Sequence, residues 1–135
     1  MKNLRSILAA LAVLLMATAA HSQSTKVAAT VPFNFVAGDR AYPAGEYTIG
    51  SDGVILKITN AEKTEVMLSQ ACESTQPSAD TKLVFDSMGG SYFLRQIWVA
   101  GNSRGRQLPR SHSEMQLAQN HEKSESVIVA ANITR

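Results

Sequence analysis

Arg104, Arg106 and Arg110 lie within seven residues of one another, in a stretch that also holds Gly101 and Gly105. Guanidinium groups on a pliable backbone engage phosphate, carboxylate or an acidic polysaccharide through paired N–H donors. The plainer reading is a solvated basic loop, partly cancelled by Glu114, Glu122 and Glu125. Tyr92 and Trp98 belong to one alternating run and fall on the same face, with Leu94 and Gln96 between them. Such a row can stack on a sugar ring or line an apolar cavity; it can equally be core, which asks for less. Arg95 falls on the opposite face with Phe93, Ile97 and Val99. A cation buried there needs a partner. Asp86 and Glu46 are candidates, and so is an anionic ligand.

Catalytic and metal chemistry find little support. Ser111, His112 and Ser113 are adjacent, and adjacent side chains do not face one another as a nucleophile and its base must. There is no Gly-x-Ser-x-Gly elbow and no His-Glu-x-x-His pair. His112, Glu114, His121 and Glu122 have no spacing that singles out zinc. No catalytic residue, metal or cofactor is assigned. Cys72, the lone cysteine, stands at the start of a polar stretch. It builds no disulfide framework, and is either a free thiol or a link between two chains.

The chain begins with the parts of an export signal. Lys2 and Arg5 precede an unbroken apolar run from Ile7 to Ala17, and small residues follow at Ala19, Ala20 and Ser22. A basic end, a short apolar stretch and small residues at the cut make a secretory leader. Ala20-His21-Ser22 before Gln23 suits signal peptidase, so residues 1–22 are expected to be removed. The stretch from Ile7 to Ala20 runs 14 residues, short of the roughly 20 that span a bilayer. Losing Lys2 and Arg5 reduces 13 basic side chains to 11, equal to the 11 acidic ones. That balance argues against a nucleic-acid binder.

Residues 23–135 then read as one β-rich domain. Alternation marks strands over Thr30 to Val36, Ala44 to Ile49, Val54 to Thr59, Glu65 to Ser69, Leu83 to Phe85 and Ser91 to Val99, with a last one over Val127 to Ala131. Pro32 consigns the first of these to an edge. Gly50-Ser51-Asp52-Gly53, Asn60 to Lys63 and Asp86 to Gly90 read as turns, and Ala71 to Asp80 as a surface loop. Ser111 and Glu114 have capping-box spacing, predicting a short helix to about Asn120 with Met115 and Ala118 on one face. All eight aromatic residues lie between Phe33 and Trp98, which places the core within residues 30–99. Residues 100–126 form a looser polar region. The expected fold is all-β: an antiparallel sandwich or small barrel of about six or seven strands, with one short helix near the C-terminus.

Several short motifs carry a resemblance. Val31-Pro32-Phe33-Asn34-Phe35, Gly38, Pro43-Ala44-Gly45-Glu46-Tyr47-Thr48-Ile49, Tyr92 to Trp98 and Gly105-Arg106-Gln107-Leu108-Pro109 occur in order across most of the chain. Together they resemble a family of small exported bacterial proteins of unknown function. The resemblance implies export and a single folding unit, and it transfers no catalytic residue.

The functional expectation is therefore a non-enzymatic module, periplasmic or extracellular, that binds a protein or an envelope polymer through exposed edges and the arginine stretch. The alternatives are a small carrier with an apolar or sugar ligand near Tyr92 and Trp98, and a hydrolase whose site the residues do not disclose. A Cys72-linked dimer is a further possible partner state.

Overall fold

The computed structural model describes residues 25–134. The expected leader, residues 1–22, lies outside the described residues.

Two sheets form around one core. The first has five strands in the order β12-β1-β4-β5-β6: β1 (Thr25–Val31), β4 (Gly45–Asp52), β5 (Ile55–Thr59), β6 (Thr64–Leu68) and β12 (Asn132–Thr134). The second runs β11-β8-β9-β10-β7: β7 (Gln70–Glu73), β8 (Lys82–Met88), β9 (Ser91–Trp98), β10 (Arg104–Gln107) and β11 (Ser124–Ala130). It also holds β2 (Phe35–Ala37) and β3 (Arg40–Tyr42). β2 pairs parallel to β9 at Val36 and Phe93; every other pairing is antiparallel. The all-β expectation holds, in sandwich-like form rather than a closed barrel. Among the described residues twelve strands replace the six or seven expected, because strands of three or four residues carry too little alternation to be read.

Alternation builds the core. Val27, Ala29 and Val31 from β1, Tyr47 and Ile49 from β4, and Leu56 and Ile58 from β5 face Leu83 and Phe85 from β8 and Val129 from β11. Phe85 is wholly buried, and the rings of Phe33 and Phe35 meet it edge-on at 5.0 and 5.4 Å. Leu108, outside the expected core range, is fully buried too.

The first strand differs from expectation. It starts at Thr25, ends at Val31, and is paired on both sides, by β12 and β4. Pro32 ends it rather than lying inside it, since proline offers no N–H to a ladder. Asn34, beyond this break, accepts a hydrogen bond from the Ala44 amide at 2.9 Å. Gly50 belongs to the β4 ladder, so the turn into β5 is Gly53-Val54. Gly89 and Gly90 connect β8 to β9 with φ of +58° and +79°. A two-residue hairpin with both central residues left-handed calls for glycine.

The helix α1 (His112–Gln119) begins as expected: the Ser111 hydroxyl accepts from the Glu114 amide at 3.2 Å. Its inward side is set by burial. Glu114 is buried and Leu117 and Ala118 are half-buried, whereas Met115 is exposed. The Glu114 carboxylate turns inward instead of back to the cap, because a cation waits for it there.

Candidate functional site

A bulge in β9 decides where the sequence-predicted residues go. Phe85 pairs with Leu94 and Val84 with Gln96, leaving Arg95 as an extra residue. One extra residue reverses the alternation that follows it. Leu94 and Ile97 therefore both face the core. The indole N–H of Trp98 donates to Gln96 Oε1 at 3.1 Å, on the outer face. Tyr92 packs into the core, its ring stacked on Phe33 at 3.9 Å. Tyr92 and Trp98 thus do not share a face, and the expected aromatic row does not exist. Trp98 instead lies over Gly105: a Cβ there would come within 2.9 Å of the indole and 2.8 Å of the Ile97 carbonyl. It is 8% exposed, so it offers no platform to a ligand.

Arg95 lies on the outer side of β9 without Ile97 beside it, and it is enclosed. Its Nε donates to Asp86 Oδ2 at 3.0 Å, Nη1 to the Leu108 carbonyl at 3.1 Å, and Nη2 to the Glu114 carboxylate. Burial pushes the Glu114 carboxyl above its ordinary value; Arg95 opposes this, and Asp86 adds to it. One guanidinium between two carboxylates leaves the second acid inclined to keep its proton. Arg95 joins β8, β9, the chain after β10 and α1, which is a structural task.

The arginine stretch is not a loop. Arg104 and Arg106 belong to β10. Arg104 reaches Glu73 at 3.0 Å across the ladder, with both side chains largely exposed. Arg106 donates from Nε and Nη2 to Ser69 Oγ at 3.0 and 2.9 Å, and from Nη2 to the Ser69 carbonyl at 3.0 Å. Arg110 is exposed beyond the strand, so the three do not converge. Cys72 lies on β7 opposite Gly105 rather than in a loop. It is half-buried, and burial pushes its thiol up, which reduces the reactive thiolate. His112 receives Asp39: the carboxylate lies 3.0 Å from both its amide and its Nδ1. Among the described residues no group of three acidic, histidine or cysteine side chains is placed to hold a metal.

One surface went unread. Val54, Ile55, Val66 and Leu68 are between 40% and 68% exposed and adjoin one another, with Ile55 directly opposite Leu68. Alternation in β6 identifies two faces but not which is buried. The structure turns Glu65 and Met67 inward and leaves Val66 and Leu68 outside. Glu65 decides this. It accepts from the Tyr42 hydroxyl, with Lys63 at 2.9 Å and Arg40 at 3.3 Å. The Tyr42 hydrogen bond, then those of Lys63 and Arg40, hold its carboxyl at about 2, below the ordinary 4.5. A carboxyl lowered in the fold contributes stability that is present above pH 4.5 and lost as pH falls through about 2. Glu65→Gln should therefore flatten the loss of stability across that window in urea titrations; an unchanged acid profile would remove Glu65 from this role.

β6 is also an edge. It has β5 on one side, and among the described strands none pairs with the other. Its only charged side chain is the inward-turned Glu65. Edge strands ordinarily carry outward charge or proline against strand addition; β6 has neither on its outer face.

A concavity of about 900 Å³ lies on the outer face of the five-stranded sheet among Ala28, Thr30, Glu46, Thr48, Thr59 and Asn60. Its aromatic residue, Tyr47, is buried and donates its hydroxyl to the Pro43 carbonyl at 2.5 Å. A sugar polymer would find no exposed ring among the described residues there.

Set against protein-family models, curated proteins and solved structures, the chain matches none. Its chemistry has to be read from the geometry.

Proposed function

We propose that the protein is an exported, non-enzymatic interaction module that takes one extended strand from a protein partner along β6. The supporting observation is the conjunction of an unpaired edge with an exposed apolar face at Val66, Leu68 and Ile55. Main-chain hydrogen bonds would supply affinity, and alternate apolar side chains of the partner would cover the patch. The neutralised Glu65 leaves the incoming strand no buried charge to meet. Export and the bacterial family resemblance belong to the same proposal, and they agree with a small domain whose task is to hold another molecule.

The test places a photo-crosslinking amino acid at Leu68, at Val66, or at Ile133 as a control on β12, in the protein's own host. Samples are analysed in reductant, so that a Cys72 disulfide does not count. The expected result is one discrete adduct shared by positions 66 and 68, absent from 133, and lost when Ile55→Lys is added. Adducts equal at all three positions, or none, would overturn the reading. An adduct of twice the chain mass would name a second copy as the protein partner.

A further inference from the structure

The charges around β6 limit the kind of strand that fits it. Lys57, on β5, stands directly opposite Val66, so the two share the outer face beside the edge. Lys57 is exposed, and among the described residues no carboxylate lies within ion-pair distance of it. Lys63 directly precedes β6, and Arg40 reaches the same strand from β3; both hold the single carboxylate of Glu65. Their side chains are 52% and 57% exposed, against 14% for Glu65, so both cations still face water while the acid between them is turned inward. Asp52 and Glu62, the other acids of β4 to β6 on this side, pair with none of the three cations. By contact, one carboxylate serves three cations.

This excess disfavours a second copy of the chain at the same edge. Pairing β6 with β6 would gather both sets of Lys57, Lys63 and Arg40 along one seam, and like charges brought together at an interface reject the partner that carries them. An acid is accepted instead, and register says where. A partner residue beside Thr64 lies on the face of Lys57, about 12 Å from it by strand spacing and rise, and next to Lys63. A lysine and a glutamate side chain together bridge that distance.

We infer that the strand taken up by β6 combines apolar and acidic residues in alternate positions: two branched apolar side chains beside Leu68 and Val66, then a carboxylate beside Thr64, where Lys57 and Lys63 meet it. This rests on strand capture at β6 and adds the sign of the partner's charge and its place.

The probes are two peptides capped at both ends, Thr-Val-Thr-Val-Thr-Glu-Thr and the same chain with lysine for glutamate, added to the isotope-labelled protein and followed by NMR. Antiparallel to β6, their second, fourth and sixth residues fall beside Leu68, Val66 and Thr64. The glutamate peptide should shift the amides of Thr64 to Leu68 saturably. It should bind about tenfold tighter than the lysine peptide at low salt, with the ratio shrinking at about 0.5 M salt. Lys57→Gln should reduce the ratio, and Lys57→Glu should bring it to about one or invert it. Equal affinities for the two peptides, or a ratio that Lys57→Glu leaves unchanged, would overturn the inference and leave strand capture standing. Shifts from neither peptide at about 10 mM, a range that detects millimolar affinity, would overturn strand capture and the inference with it. Shifts gathered around Lys26 or Arg104 instead of β6 would mean adsorption to surface charge, which also overturns the inference.

Discussion

Arg95→Met is expected to lower the unfolding free energy by about 3–5 kcal/mol, because it leaves two carboxylates facing each other in a closed space. The side chains of Arg95, Asp86 and Glu114 are 11%, 17% and 3% exposed, so water cannot replace the guanidinium. Urea denaturation at neutral pH measures the loss. Its pH dependence separates charge from packing. The Glu114 carboxyl is raised in the fold, chiefly by burial, so the stability tied to its protonated form is present below 4.5 and disappears as pH rises through the raised value. Without Arg95 that carboxyl rises further. The cost of Arg95→Met should therefore be smaller near pH 4 than near pH 7, where Glu114 must ionise without its cation. A cost independent of pH would mean that Arg95 acts through its aliphatic stem.

Trp98→Ala is expected to cost about 3–5 kcal/mol, the range for removing a large buried aromatic side chain. The diagnostic feature is its coupling to Gly105. With the indole in place, Gly105→Ala must displace both ring and backbone, the contacts at 2.9 and 2.8 Å, and should cost about 1–3 kcal/mol. In the Trp98→Ala background only the Ile97 carbonyl remains in the way, so the same change should cost less. Additivity of the two changes to within about 0.5 kcal/mol would show that the indole does not hold Gly105 to its identity.

Most of the central strands were legible because they alternate over five or more residues. Val54 to Thr59 and Ser91 to Val99 carry period-two patterns that a half-buried strand requires. The helix was legible from its cap, Ser111 three residues before Glu114. The strands at Gln70–Glu73 and Arg104–Gln107 were not. Each is four residues long and polar, and each is a strand because a neighbour supplies its hydrogen bonds. Reading Arg104 and Arg106 as loop residues followed from that, as did placing Cys72 in a loop.

The candidate site divides along the same line. Alternation in Thr64–Leu68 sorts Glu65 and Met67 from Val66 and Leu68, but nothing local says which pair is buried. Tyr42, Lys63 and Arg40 settle it, and Tyr42 lies 23 residues from Glu65. The same holds for Tyr92 and Trp98. Their parity in an unbroken strand puts them together; one bulged residue, forced by pairing with β8, parts them.

Composition and short-range pattern are properties of neighbouring residues, so they establish an all-β chain, the alternating faces of its longer strands and one capped helix. Edge status, the side on which a face is buried and the partner of a charge depend on groups far apart in the chain. Those are set when the two sheets close on each other: Arg95 meets Glu114, Glu65 meets Tyr42, and Val66 and Leu68 are left outside because the inward places are taken.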